Sequence, residues 1–250
     1  FNKMGCDAFS PGSKDFSSGL DFLMKLYNKA DFPFVSCNLF KEEGELLFDS
    51  HVIKRINKTN IGIIGATSLF ENDVEGVKVS DPIESIYSII SQIESRVDII
   101  ILLINGSDQD IKKLYDKNYS IDLIVRSRAK TRSVDGGSKT PPTYVCGDRG
   151  KYVYQFDMTM VGSEYPFVDI AWCNNTLDRM QSRLDKMKKN DVNVDLKYLY
   201  KDDKTTLDRI KNYENQIEFA NQRLENAVNT ITVKKIELGK TVFDRPDILK

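Results

Sequence analysis

"VDIIILLINGSDQD" occupies residues 97–110. Its aliphatic run, Ile99–Ile104, carries no alternation of apolar and polar residues, the pattern of a strand buried on both faces. The run is far shorter than the ~20 apolar residues a bilayer span requires. The polar turn "NGSDQD" (105–110) then opens a helix that the spacing carries through Leu114. Upstream, "DPIESIYSIISQIES" (81–95) begins with an Asp-Pro helix start and repeats apolar residues at Ile83, Ile86, Ile90 and Ile93. Downstream, "IDLIV" (121–125) reads as a second buried strand. It is followed by the loop "RSRAKTRSVDGGSKTPP" (126–142) and the strands "TYVCG" (143–147) and "KYVYQFDMTMV" (151–161). Towards the N-terminus, "HVIKRI" (51–56) and "NIGIIGATS" (60–68) read as two strands about the turn "NKTN". "FPFVSCNLF" (32–40) is expected to be a short buried strand. "DFSSGLDFLMKLYNKA" (15–30) is expected to be an amphipathic helix with Leu20, Leu23, Met24 and Tyr27 on one face. Strands alternating with helices predict an α/β sheet covered by helices. Any site then falls on the strand-end turns "GSKDFSSG" (12–19), "NGSDQD" and "RSRAKTRS" (126–133).

After Val168 the pattern changes. Leu177, Met180, Leu184 and Met187 recur at helical spacing, and Leu207, Ile210, Ile217, Leu224 and Val228 follow a heptad register with Glu214 and Asn221 at the remaining core-type positions. This predicts an antiparallel hairpin of helices over 176–189 and 205–228. The longer second helix leaves apolar surface for "LKYLY" (196–200) or a partner protein to cover. "TITVKKIEL" (230–238) returns to strand alternation, so the hairpin reads as inserted between strands. The expected division is a sheet domain over 1–168, the hairpin over 169–229, and a returning strand with the C-terminal segment over 230–250.

Of the 250 residues, 40% are apolar and 29% charged, and the net charge is −1. This is ordinary globular composition with no field to attract nucleic acid. No membrane span is expected. The four cysteines are far apart in sequence and read as buried thiols, and no C-x-x-C pair offers a zinc site. The single histidine, His51, precludes a multi-histidine metal site and reads as structural. No Gly-rich nucleotide loop occurs.

The order of the segments carries a resemblance. "NKMGCDAFSPGSKDFSSGLDFLMKLYNKADFPFVSCNL" (2–39) resembles the metallophosphoesterase domain of the 5′-nucleotidase family, in which M-G-Y-D-A leads to the loop G-N-H-E-F-D and on through G-L-D-F-L to F-P-[VF]-L-S-A-N. "HVIKRINKTNIGIIGATS" resembles that family's V-I-K-E-[IV]-x-G-x-K-[IV]-G-I-I-G-L-T. "VDIIILLINGSDQD" resembles its strand ending in L-S-H-L-G. "IDLIVRSRAKT" resembles I-D-L-I-I-G-G-H-S-H-T, and "CGDRGKYVYQFDMTM" its following strand pair. The resemblance runs from Asn2 to Met160 and implies an αββα sandwich.

It also implies two divalent cations activating a water against a phosphoester, and here the chain departs from the family. Ser13 and Lys14 stand at the positions of the asparagine ligand and the histidine acid. Asn105 stands at a histidine ligand, and Arg128 and Lys130 stand at the two histidines of G-H-S-H. Lysine and arginine cannot ligate a cation at neutral pH. Asn105 offers at most one oxygen, and "NGS" also reads as a turn. The expectation is therefore no catalytic residue, no metal and no cofactor. The chain is read as a catalytically inactive relative of the 5′-nucleotidases acting as a structural or protein-interaction module, with a protein partner on the helical hairpin or the sheet edge. The alternatives are an active phosphoesterase using upstream residues, and a phosphate- or nucleotide-binding module. A further expectation is that Lys14, Arg128 and Lys130 fill the old metal position as an ion-pair network, with Asp15 or upstream acids. The start at Phe1 reads as that of a fragment or processed product lacking the family's first strands and D-x-H motif. The resemblance alone implies a periplasmic or extracellular location.

Overall fold

The aliphatic residues Ile99–Ile104 lie in the middle strand of a five-stranded sheet. A computed structural model gives the structure, which describes residues 1–68, 70, 73–117, 120–127, 135–145, 150–188, 191, 193–239, 242 and 246. In chain order the first elements are α1 (Leu20–Tyr27), β1 (Leu39–Phe40), β2 (His51–Ile56), β3 (Thr59–Thr67), β4 (Lys78–Val79) and α2 (Pro82–Ile93). They are followed by β5 (Ile99–Asn105), α3 (Asp108–Asp116), β6 (Leu123–Arg126) and β7 (Thr143–Val145). The sheet order is β2-β3-β5-β6-β7. β2 and β3 form an antiparallel hairpin, His51 opposite Ile64, whose turn places Asn57 at φ +56°, a conformation that asparagine tolerates. β3, β5, β6 and β7 are parallel. This is the fold class the strand–helix alternation predicts.

One face of the sheet is dry. Ile64, Ala66, Ile100, Leu102, Ile104 and Ile124 pack against Ile83, Ile86, Ile90 and Ile93 of α2 and Ile111 and Leu114 of α3. The Asp-Pro start works as read, since Asp81 caps α2 by accepting from Ile83 N and Glu84 N at 2.8 and 3.0 Å. At the N-terminal ends of the strands, aspartates close the ladder. Asp98 Oδ2 accepts from Asn60 N at 2.7 Å, and Asp122 Oδ2 accepts from Ile100 N at 2.8 Å. A second apolar cluster lies under α1, where Phe16, Leu23, Phe34, Leu39, Leu47 and Phe48 are buried.

Two local expectations need correction. The first helix begins at Leu20, not at residue 15. Ser13–Phe16 is a separate 3₁₀ turn capped at Ser17, and Gly19 at φ +84° stands at the start of α1, a conformation open to glycine at no steric cost. Residues 32–40 do not form a continuous strand, because Phe34 and Val35 make only isolated bridges to Phe9 and Asp49. Proline at 33 lacks a ladder donor, and Val35 O crosses directly above Gly65, where any Cβ would collide with it.

The chain divides into two units by internal contacts, Phe1–Gln155 with Lys235–Lys250 and Phe156–Lys234. The later elements are β8 (Tyr152–Thr159), β9 (Phe167–Asp169), α4 (Ile170–Met187), α5 (Leu196–Leu199), α6 (Lys204–Glu225) and β10 (Asn229–Glu237). The last three strands form a sheet of order β8-β10-β9, with β9 parallel to β10. α4 and α6 run antiparallel, as predicted: Cys173 clusters with Ala220 near one end, and Leu184 with Ile210 near the other. Leu196 of α5 and Tyr200 join the second cluster, so "LKYLY" covers the overhanging end of α6. The seam differs from the heptad reading. Ala220 is fully buried while Asn221 is exposed, and Glu214 reaches out to Lys197 at 3.2 Å. Tyr213 and Ala220 occupy the places expected for Glu214 and Asn221. The periodicity of a short, straight helix is nearer 3.6 than 3.5 residues, so a strict heptad drifts off the contact line. Among the described residues no helix is long and apolar enough to cross a membrane.

Candidate functional site

Because β3, β5 and β6 are parallel, their C-terminal ends form one layer. Thr67 lies opposite Asn105, and Ile104 opposite Arg126. The segment before α1 lies on this layer. Thr67 Oγ1 donates to Pro11 O at 2.6 Å, and a Cβ placed on Gly12 would lie 3.3 Å from Asn105 Cγ. Two of the three loops singled out in the sequence, around Gly12 and around Asn105, therefore meet. Of the residues on the first loop, Ser13 is half-buried and Lys14 is exposed. Asp15 closes the turn: its Oδ2 accepts from Gly12 N at 2.8 Å. Arg128 and Lys130 lie outside the described residues, and the ion-pair network expected of them and Lys14 lies there with them.

Asn105 is the last residue of β5, not a turn residue, and is 7% exposed. Its Nδ2 donates to Ser127 Oγ at 2.8 Å and its backbone O accepts from Ser68 N at 2.9 Å. Its Oδ1 has no hydrogen-bond partner among the described residues. An unmet buried acceptor costs roughly 1–3 kcal/mol. The next turn is rigid. Ser107 caps α3, and Asp110 Oδ2 accepts from Ser107 Oγ, Ser107 N and Ser68 Oγ at 2.6, 2.9 and 2.7 Å. Burial works against the Asp110 charge, but the serine hydrogen bonds outweigh it and hold its pKa below the ordinary carboxylate value.

The residue that sequence reasoning missed is Arg126. It is 7% exposed, its Nε and Nη2 both donate to Gly106 O at 3.0 and 2.8 Å, and its Nη1 meets Asp108 Oδ1 at 2.6 Å. Its signal was present: "IDLIVR" (121–126) ends in arginine where the resembling strand has glycine. His51 is half-buried at the start of β2, with Nδ1 2.9 Å from Ser50 Oγ. Burial and then nearby Arg96 push its pKa down. It takes no part in this layer.

No family model matches the chain. A 5′-nucleotidase of Vibrio vulnificus (strain CMCP6) is 35% identical over 68 residues, which is 27% of this chain and 12% of that protein. The trifunctional nucleotide phosphoesterase protein YfkN of Bacillus subtilis (strain 168) is 27% identical over 152 residues, 54% of this chain and 10% of that protein. This chain thus spans about a tenth of the length of both. The crystal structure of the calcineurin-like phosphoesterase YfkN from Bacillus subtilis superimposes with a TM-score of 0.55 at 24% identity, over 64% of this chain and 60% of that one. The chain is similar in sequence to these nucleotide phosphoesterases and shares the fold of the calcineurin-like phosphoesterase. The donors that the described residues bring to these strand ends do not fit a divalent cation. The orphaned Asn105 Oδ1 is a single neutral oxygen, Ser13 offers a neutral hydroxyl, and Lys14 is cationic. No group of three or more His, Cys, Asp or Glu side chains converges among the described residues.

Proposed function

We propose that this chain is a metallophosphoesterase-fold module that does not hydrolyse phosphoesters and acts through protein contacts. The supporting observation is the strand-end layer, where a serine, an exposed lysine and an asparagine bonded to Ser127 stand at the family's ligand and acid positions. Two-metal catalysis clamps both the attacking and the leaving oxygen, and these side chains supply no such clamp. The α4–α6 pair and the open edge at β2 are the proposed contact surfaces. An exported location belongs to the same reading.

The test is hydrolysis of AMP and of p-nitrophenyl phosphate by the purified chain with Mg²⁺, Mn²⁺ or Zn²⁺. No turnover above the metal-only control is expected, and metal-dependent turnover would overturn the reading in favour of an active phosphoesterase. For the contact role, residues 176–228 are replaced by a short linker. Loss of partner contacts with the sheet intact is expected. Retention of folding and of every contact would remove the hairpin from the proposal.

A further inference from the structure

We infer that the strand-end layer is tied together by the chain's own side chains, with Arg126 as the central tie, so that this end of the fold is independent of divalent cations. The inference rests on the reading that the donor set holds no metal. Where a cation joins loops, its binding free energy becomes folding free energy. Removing the ligands would leave such loops without a fastening, and here the described residues of the layer supply others. The segment before α1 is held by Thr67 Oγ1 on Pro11 O and by the seat of Gly12 against Asn105. The ends of β5 and β6 are joined by Asn105 Nδ2 to Ser127 Oγ and by Ser127 N to Ile104 O at 3.0 Å.

Arg126 carries the most. It points to the face of the sheet that holds α3, opposite the Asn105 side chain, because it pairs with Ile104 across the ladder. From there it binds the first residue beyond β5 twice and the first residue of α3 once. The Asp108 carboxylate is 71% exposed and the Arg126 side chain 9%. Solvent therefore screens the ion pair itself, and the two charge-assisted bonds to the Gly106 carbonyl matter more. A planar guanidinium can place two donors on one carbonyl and a third on a neighbour; a lysine ammonium is a point charge and cannot hold the same fork.

The experiment is thermal unfolding of the full chain and of R126G, R126K and D108N, each with EDTA, with MnCl₂ and with ZnCl₂. The wild type is expected to unfold at the same temperature in all three conditions. R126G should melt roughly 6–15 °C lower, R126K between the two, and D108N no more than about 4 °C lower. If R126G does not fold, the ranking of R126K below D108N carries the test. A saturable rise of the wild-type melting temperature with Mn²⁺ or Zn²⁺, or a fall with EDTA, would overturn the inference, as would an R126G or R126K protein as stable as wild type. These outcomes separate from the hydrolysis assay. A chain that is stabilised by metal yet inert would break this inference and leave the inactive reading standing, whereas turnover would break that reading first.

Discussion

Asn38 is wholly buried, and both ends of its amide are bonded: Nδ2 donates to Thr67 O and Ser80 O at 2.6 and 3.0 Å, and Oδ1 accepts from Thr67 N at 2.9 Å. Asn105 ends the neighbouring strand, donates once to Ser127, and leaves its oxygen unmet among the described residues. The same side chain, one against the end of β3 and the other at the end of β5, serves as scaffold in one place and sits imperfectly satisfied in the other. The difference separates an amide used in full by the fold from one whose acceptor the described fold leaves unused. Asn229 resembles Asn38. It accepts from Val161 N and Gly162 N and donates to Gly162 O and Tyr165 O.

The largest effect should come from the satisfied amide. Asn38→Ala strands the Thr67 and Ser80 backbone groups and should cost roughly 3–5 kcal/mol in urea unfolding. A loss no greater than that of Asn105→Ala would erase the contrast. The next effect belongs to the helical pair. Ala220→Leu overpacks the buried Cys173–Ala220 cluster between α4 and α6 and should cost about 1–3 kcal/mol, whereas Asn221→Leu on the exposed side should stay within about 0.5 kcal/mol. The opposite ranking would restore the heptad register. Ile217→Asp, which places a charge in the seam, should cost roughly 3 kcal/mol locally.

Asp122 sharpens the comparison from the other end of the strands. Burial raises its pKa from 3.8 to about 6 despite the Ile100 N–H bond. A raised carboxyl pKa means that the folded state holds the proton more tightly, so this group's contribution to stability is full below about pH 4 and is lost as the pH rises through about 6. Asp122→Asn keeps an acceptor for Ile100 N and loses the charge. It should be more stable than wild type by about 1–3 kcal/mol at pH 7–8, with the gain vanishing near pH 4. A pH-independent difference would show that the carboxyl does not titrate there. The smallest effect is expected at Asn105. Asn105→Leu removes the unmet oxygen together with one hydrogen bond and should change stability by no more than about 1 kcal/mol.

Much of the sheet was legible because its residues do one thing. Ile99–Ile104 and the Ile83–Ile93 stripe are apolar wherever they touch the core, so composition and period fix both strand and helix. Residues 13–16 and 32–37 misled because their shape is set by neighbours, through Gly19 and through the passage of Val35 O over Gly65. Sequence spacing contains neither contact. The helix seam misled for a different reason. Glu214 and Asn221 sat in register, and the clustering of Cys173 with Ala220 shows which face of α6 is buried. At the site, resemblance placed Ser13 and Asn105 in one layer, and Gly12 does meet Asn105. The role of Arg126 was not read, since an arginine at the end of a strand usually points to solvent.

The parallel register of β3, β5 and β6 has a consequence for how such a chain can drift. Turn residues at one end can be rewritten while the strand residues of the dry face stay in place, because β3, β5 and β6 end at Thr67, Asn105 and Arg126. At the other end, Asp98 and Asp122 fasten each strand to its neighbour and allow few alternatives. Ancestry is therefore written in the interior and at the fastened end, while chemistry is an exchangeable cap. A lineage can discard a reaction and keep its architecture, so kinship is read from the core of such a chain and present use from its rim.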